Sequence, residues 1–559
     1  MCASHVPRTR PHATDRDRRR IANRRARALA IECDATKARV ALDRARRANV
    51  MWIDDAQRED VRARMDASLS AIGFHCARTH VEGREKAMEI EQRAYSAADV
   101  SSSTTSGVRP TIEVMRLYVK KAAELMREAI EQRTNDVEMG KEEEDMDEDE
   151  FDISKTSKDR EFYTQQRAEQ VLAPLLAKGA AFSTVRLSTK SFGIDAAKVA
   201  SRAFVNLATT LKAVDLSDTI AGRPEVEALK AMEIFSEGLA VAELTSVDLS
   251  DNAFGEKGVR ACRKLLEEQK SLTSIAFLNN GISEQAARAI HELLACPEKL
   301  TRFHLDKNMT GDEGTVHIAA IVAKAKGMKD FKMAGSRFFS DGAIMLAKAL
   351  AQGNSLERLD LNDNNVNEEG ASALLEVLPK HPNLYFLNLE ATALGEEMGG
   401  TLLQAVAQGC PKIEVLHISS NDFMREGAEG VAKAIAGMKN LKVLTIGDNE
   451  LGDYGFAQIC MALRESGAPL VELDASCNEL RRAGAVAAAH LAASKPGFRS
   501  LNLDGNFIPD EAVEEVENIL KAAGVESALL PMEDNDPEGE ADDEGDVDSL
   551  LDALASIKV

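Results

Sequence analysis

The chain has 559 residues, 44% of them apolar and only 4% aromatic, with a single Trp and five Tyr. That is long enough for several domains or one long repeat array, and it suits a leucine- and alanine-rich repeat better than an aromatic-rich β-sandwich. The net charge of −23 is uneven, with nine surplus positive charges in residues 1–50 and −32 on the rest, which excludes non-specific nucleic-acid binding by the body and points to a basic patch on a partner protein.

No run reaches about 18 apolar residues, so no membrane span is expected. No secretory apolar segment follows Met1. The eight cysteines (Cys2, Cys33, Cys76, Cys262, Cys296, Cys410, Cys460 and Cys477) contain no C-x-x-C pair. They read as reduced thiols, mostly core fillers, of a cytosolic or nuclear protein.

Residues 1–50, with "RDRRRIANRRARALA", are expected to form a disordered Arg-rich arm. A targeting segment and a start assigned upstream of the native one remain open as alternatives. From 51 to 133 the pattern is helical: Val61, Met65, Leu69 and Ile72 form one apolar stripe, and Val114, Leu117, Tyr118, Ala122, Leu125 and Ile130 form another. "EKAMEIEQRAYSAA" between them reads as a third helix, so this stretch is expected to be a small helical domain. Residues 134–160 read as an acidic linker, because Asp136 to Asp152 hold eleven acids and one Lys.

Residues 161–530 repeat. Short segments of the form apolar-x-apolar, such as "LTSVDLSDN", "LTSIAFLNN" and "LERLDLNDN", place their second apolar residue at Leu187, Leu216, Leu249, Phe277, Leu305, Met333, Leu361, Leu389, Ile418, Ile446, Ala475 and Leu503. Successive spacings are 28 or 29 residues, with one of 33 between Leu216 and Leu249. Helical patterns such as "EEGASALLEVLPKHPN" fill the gaps. About twelve strand–helix units of this length predict an α/β leucine-rich repeat solenoid of the ribonuclease-inhibitor kind. Residues 531–559 read as an acidic tail, which either steers a basic partner electrostatically or keeps the chain soluble.

From Leu249 onward, three residues beyond each marker lies an asparagine column: Asn252, Asn280, Asn308, Asn364, Asn421, Asn449, Asn478 and Asn506, interrupted by Ser336 and Thr392. An amide can satisfy donors and acceptors of buried turns on two repeats at once, so this column is the expected structural ladder. One residue earlier the occupants differ: Asp251, Asn279, Lys307, Gly335, Asp363, Ser420, Asp448, Cys477 and Gly505. Asn279 therefore reads as an asparagine that the fold does not demand, on the rim at the strand ends. It is either a solvated loop residue or a functional one. The long spacing enlarges a loop within "SDTIAGRPEVEALKAM", an expected contact site. Its Arg223 could reach a partner's carboxylate or phosphate, or simply pair with Glu225 and Glu227.

The chain lacks a P-loop, a G-x-S-x-G and an H-E-x-x-H motif, and no metal site is expected. His304 and His417, four strands apart, read as solvated or partner-facing rather than as a catalytic pair. No self-contained active site is expected.

Over about 180–559 these motifs resemble the Ran GTPase-activating proteins of the plant and green-algal type. "DLSDTIAGRPEVEAL", "VDLSDNAFGEKGVRA", "LNNGISEQAARAI", "KNMTGDEG", "NELRRAGA", "LNLDGNFI" and the tail "DNDPEGEADDEGDVDSLL" carry the likeness. Residues 51–133 resemble the plant targeting domain named for its Trp-Pro-Pro motif, although Trp52 is followed here by Ile53 and Asp54. The resemblance implies a protein with no cofactor of its own. It would act on Ran in its GTP form, with GTP and Mg held by the GTPase. Asn279 matches the residue that orients Ran's catalytic Gln without an arginine finger. Arg223 matches a loop Arg that aids binding or placement. Asp251, Lys307 and Asp363 on the same rim are further expected partner contacts. A Ran-binding protein and a nuclear-envelope anchor reached through Trp52 and its domain are further expected partners, in a cytoplasmic protein serving nucleocytoplasmic transport. The rival reading is a non-catalytic repeat scaffold that binds a basic partner.

Overall fold

The computed structural model describes residues 149–154 and 160–536. The expected helical domain at 51–133, with Trp52, and the Arg-rich arm lie outside the described residues.

Fifteen strands of three residues each occur among the described residues. They are β1 (Glu150–Asp152), β2 (Glu161–Tyr163), β3 (Thr184–Arg186), β4 (Lys190–Phe192), β5 (Ala213–Asp215), β6 (Ser246–Asp248), β7 (Ser274–Ala276), β8 (Arg302–His304), β9 (Asp330–Lys332), β10 (Arg358–Asp360), β11 (Phe386–Asn388), β12 (Val415–His417), β13 (Val443–Thr445), β14 (Glu472–Asp474) and β15 (Ser500–Asn502). Thirteen of them form one parallel sheet in the order β1-β3-β5 and then β6 to β15 in sequence, while β2 pairs with β4 in a small separate sheet. Register is in step from unit to unit: Ile275 lies beside Phe303 and Phe303 beside Phe331.

The repeat spacing explains this regularity. The apolar residues of each x-apolar-x-apolar segment, such as Phe303 and Leu305, are fully buried. Each such side chain contributes about 1.5–3 kcal/mol of burial. The residue between them, such as His304, stays on the helix-free face of the sheet. From β4 onward a helix follows each strand and packs on the next one. The helices Glu396–Gly409 and Met424–Gly437 approach so closely that a Cβ on Gly400 would lie 3.0 Å from the Gly430 Cα. The small residues of "REGAEGVAKAIAGMKN" are thus the contact itself.

All twelve marker segments form strands of the main sheet, but both ends of the array extend beyond the expected limits. β1 lies within the stretch expected to be linker. Phe151 and Ile153 supply its apolar positions, and Ile153 N–H donates to Arg186 O at 3.0 Å. At the other end, Leu530, the last residue of the expected repeat stretch, donates its N–H to Leu501 O at 2.9 Å, and Asn535, expected in the tail, closes the last unit. Asn535 accepts from Ile508 N–H at 3.1 Å and donates back to Ile508 O at 2.6 Å. It is a further rung of the asparagine ladder.

Candidate functional site

The site begins with the ladder, which mounts the rim. Asn280 is fully buried. Its Nδ2 donates to Leu249 O at 2.8 Å, and its Oδ1 accepts from Asn252 N–H at 2.9 Å. Asn308 repeats the pattern one unit on, accepting from Asn280 N–H at 3.1 Å and Ile282 N–H at 3.0 Å. Asn252, Asn364, Asn421, Asn449, Asn478 and Asn506 make the same kind of contacts. At Ser336 and Thr392 a hydroxyl takes over the donor role. Ser336 Oγ donates to Leu305 O at 3.0 Å, and Thr392 Oγ1 donates to Leu389 O at 2.6 Å. The strand-to-loop turns are therefore held at both ends by buried hydrogen bonds.

Asn279 stands one residue before this anchor and is exposed. Its backbone is left-handed, with φ +49°, and so is that of its counterpart in every one of the twelve units: Thr189, Asp218, Asp251, Lys307, Gly335, Asp363, Ala391, Ser420, Asp448, Cys477 and Gly505. The column is thus less permissive than its chemistry suggested. The fold asks for a left-handed residue, which Gly, Asn and Asp adopt most easily. Periodicity could not reveal this, because the constraint is on the backbone and the side chains differ. Seven of the twelve positions hold Gly, Asn or Asp, and that bias is the available signal.

Side chains of this column touch their neighbours along the rim. Asn279 Nδ2 donates to Asp251 Oδ1 at 2.9 Å, and Ser420 Oγ donates to Asp448 Oδ2 at 2.7 Å. Lys307 follows Asn279 on the other side and is exposed, as is Asp363 two units further on. An asparagine amide carries two N–H donors and one carbonyl acceptor. With one donor on Asp251, one donor and the carbonyl oxygen of Asn279 remain for a partner.

Arg223 is placed differently. It follows β5, two strands from β7, and its guanidinium reaches back to the amino-terminal units. Nε donates to Ser191 Oγ at 3.0 Å, while Nη2 donates to Ser191 O at 2.8 Å and Tyr163 O at 3.3 Å. Nη1 meets Glu227 at 3.2 Å, and the Phe162 ring lies 5.0 Å from the guanidinium carbon. The Arg223 side chain is only 16% exposed. Glu225, the other acid offered for it, pairs with Lys257 instead. Arg223 and Asn279 share a rim but are not brought together. Ser191 and Tyr163 were not singled out in the sequence because they lie in β2 and β4, outside the repeat register.

The helix-free face carries a charge network that sequence spacing also left unremarked. His304 Nε2 sits 2.9 Å from Asp330, and Arg302 and Arg358 approach the same carboxylate at 3.5 and 3.8 Å. Burial pushes the Asp330 pKa up, but His304, Arg358 and Arg302 together hold it below the usual carboxylate value. Lys332 bridges Asp306 at 3.2 Å and Asp360 at 3.3 Å. Its burial opposes the charge, and the two carboxylates outweigh it and raise the pKa. His417 bonds Thr445 at 3.0 Å on β12 and β13. Four strands, roughly 19 Å, separate it from His304. Among the described residues no group of His, Cys, Asp or Glu could hold a metal ion, and no helix is long and apolar enough to cross a membrane.

Comparison with known proteins agrees with this architecture. A family model described as Leucine Rich repeat matches residues 244–261 and 354–375. The chain is 58% identical over 390 residues to RAN GTPase-activating protein 2 of Arabidopsis thaliana, a match covering 70% of this chain and 71% of that protein. RAN GTPase-activating protein 1 of Arabidopsis thaliana is 37% identical over 194 residues, 34% of this chain and 35% of that protein. Ran GTPase-activating protein 1 of Xenopus laevis is 33% identical over 118 residues, 21% and 20% of the two chains. With a relative this similar over most of its length, the chain belongs to the Ran GTPase-activating protein family.

Proposed function

We propose that this protein accelerates GTP hydrolysis by Ran, and that Asn279 is the residue it brings to the partner's active site. The observation that carries the reading is the presentation of the amide. It sits exposed at a strand end, one residue from a buried rung, with a donor and an acceptor left over. A primary amide with those two groups can pair with the amide of a GTPase's glutamine. That pairing fixes the glutamine, which in turn orients the attacking water. GTP and Mg belong to the GTPase, and no cofactor is needed on this chain. Arg223 supports the reading indirectly, by tying the enlarged loop to β2 and β4 so that the rim two units before Asn279 is stiff when Ran docks. Asp251, Lys307 and Asp363 form the polar rim around it. Docking at the nuclear envelope through residues 51–133 rests on the resemblance of that stretch and the presence of Trp52.

The test is single-turnover hydrolysis of GTP by purified Ran, with the protein absent or saturating. Wild-type protein raises the rate. Asn279→Gly, which suits the left-handed backbone, lowers the stimulated rate about 100-fold or more while Ran in its GTP form still binds. Binding without acceleration by the wild type would identify a scaffold for a basic partner and defeat the activator reading.

A further inference from the structure

We propose that Asp251 is a positioning residue that fixes which way round the Asn279 amide is held. This rests on the activator reading above and deepens it. The oxygen and nitrogen of an asparagine amide are nearly equal in size, and a half-turn about the last torsion exchanges them. An exposed asparagine would present either atom to a partner. The Asp251 carboxylate removes that freedom, because an ionised carboxylate only accepts. The 2.9 Å contact to Asn279 must therefore be made by Nδ2, and the carbonyl oxygen is turned away from Asp251. A charge-assisted bond at an exposed site biases the two orientations by roughly tenfold.

Asp251 is well mounted for this task. Its N–H donates to Leu278 O at 2.8 Å, which ties it to the residue just before Asn279. Its chain neighbour Asn252 is a buried rung whose N–H is bound by Asn280 Oδ1 at 2.9 Å. Two consecutive rungs thus hold the donor and the acceptor of the Asn279–Asp251 pair at fixed separation. The same 28-residue relation joins Ser420 to Asp448, so the contact follows from the repeat geometry and needs no special loop. A glutamine entering from the partner meets an amide already turned the right way, and its ordering does not have to occur during docking.

The experiment measures stimulated GTP hydrolysis by Ran at varied protein concentration for wild type, Asp251→Gly, Asp251→Asn, Asn279→Gly and the double variant Asp251→Gly/Asn279→Gly. Glycine already occupies this column at Gly335 and Gly505 with φ +52° and +70°, so Asp251→Gly keeps the backbone unstrained. Thermal melting of each variant checks folding. The expected result is a fall of roughly tenfold in the maximal rate of Asp251→Gly, with half-saturation changed much less. Asp251→Asn, which retains an oxygen acceptor, recovers part of the loss. In the Asn279→Gly background, Asp251→Gly has no further effect. If Asp251→Gly changes only the half-saturation, Asp251 is a direct Ran contact and the proposal is overturned. It is equally overturned if the two losses multiply, or if Asp251→Gly is silent while Asn279→Gly is slow. If Asn279→Gly matches an accelerating wild type, the catalytic reading of Asn279 fails first and takes this proposal with it.

Discussion

Asn279 and Asn280 are chemically identical neighbours with opposite surroundings. Asn280 joins two buried backbone groups of the first neighbouring unit, so Asn280→Ala leaves them unsatisfied and costs about 2–4 kcal/mol. The expected readout is a lower urea midpoint with stimulated GTP hydrolysis intact in the folded fraction. Asn279→Ala, by contrast, puts a Cβ-bearing residue without a local hydrogen bond at φ +49°, a strain of about 1 kcal/mol, and Asn279→Gly avoids it. The ladder was legible in the sequence because it needs an amide, and the amide recurs. The left-handed column was not, because a backbone requirement is met by Asp, Lys, Gly, Ser and Cys alike. His381 offers a third residue-level test. Burial lowers its pKa from 6.5 to about 4, and Leu356 N–H donates to its Nδ1 at 3.3 Å. The unfolded chain therefore takes up a proton near pH 6.5 that the folded chain refuses until about pH 4. Stability from this group is complete above that window and falls as pH drops through it, by an amount of order 3 kcal/mol. His381→Asn, which keeps an acceptor near the Nδ1 position, should flatten that part of the dependence of the urea midpoint on pH between 7 and 4.5.

At the scale of elements, the strands and their order were readable from spacing alone, since each marker residue is buried and the period is nearly constant. The enlarged loop after β5 was readable as an insertion but not as a tether. Its Arg223 satisfies Ser191 and Tyr163, which lie outside the repeat register and belong to a two-stranded sheet with no counterpart in the other described units. Arg223→Ala should therefore free the segments 190–193 and 220–227 from one another. We expect faster amide hydrogen exchange in both, a loss of about 2–3 kcal/mol in stability, and a milder fall in stimulated hydrolysis than at Asn279. Arg223→Lys should not restore protection, because one ammonium cannot reproduce the guanidinium's bonds to Ser191, Tyr163 and Glu227 together. The limits of the array were misplaced at both ends for the same physical reason. Acidic composition argued against packing, yet only Phe151 and Ile153 at one end and Asn535 at the other are needed to complete a unit.

For the whole molecule, charge sets how partners arrive. Residues 51–559 carry −32, and much of the charge on the helix-free face is paired internally, as in the Asp330 and Lys332 groups. The unpaired remainder acts at long range and is screened within about 8 Å at physiological salt. The apparent second-order rate of Ran stimulation should therefore fall by roughly tenfold between low and high ionic strength, while the maximal rate, which we propose Asn279 sets, changes little. A rate at saturation that fell equally would place charge in the chemical step instead.

The left-handed rim has a consequence for how such an activity can arise. In the genetic code, Asp and Lys codons each lie a single nucleotide from Asn. Asp218, Asp251, Lys307, Asp363 and Asp448 all hold the backbone that Asn279 holds. Each could acquire an outward amide by one base change without disturbing a rung beneath it. The array thus offers a row of stations for the same functional group, and which of them becomes active is decided by where the partner docks.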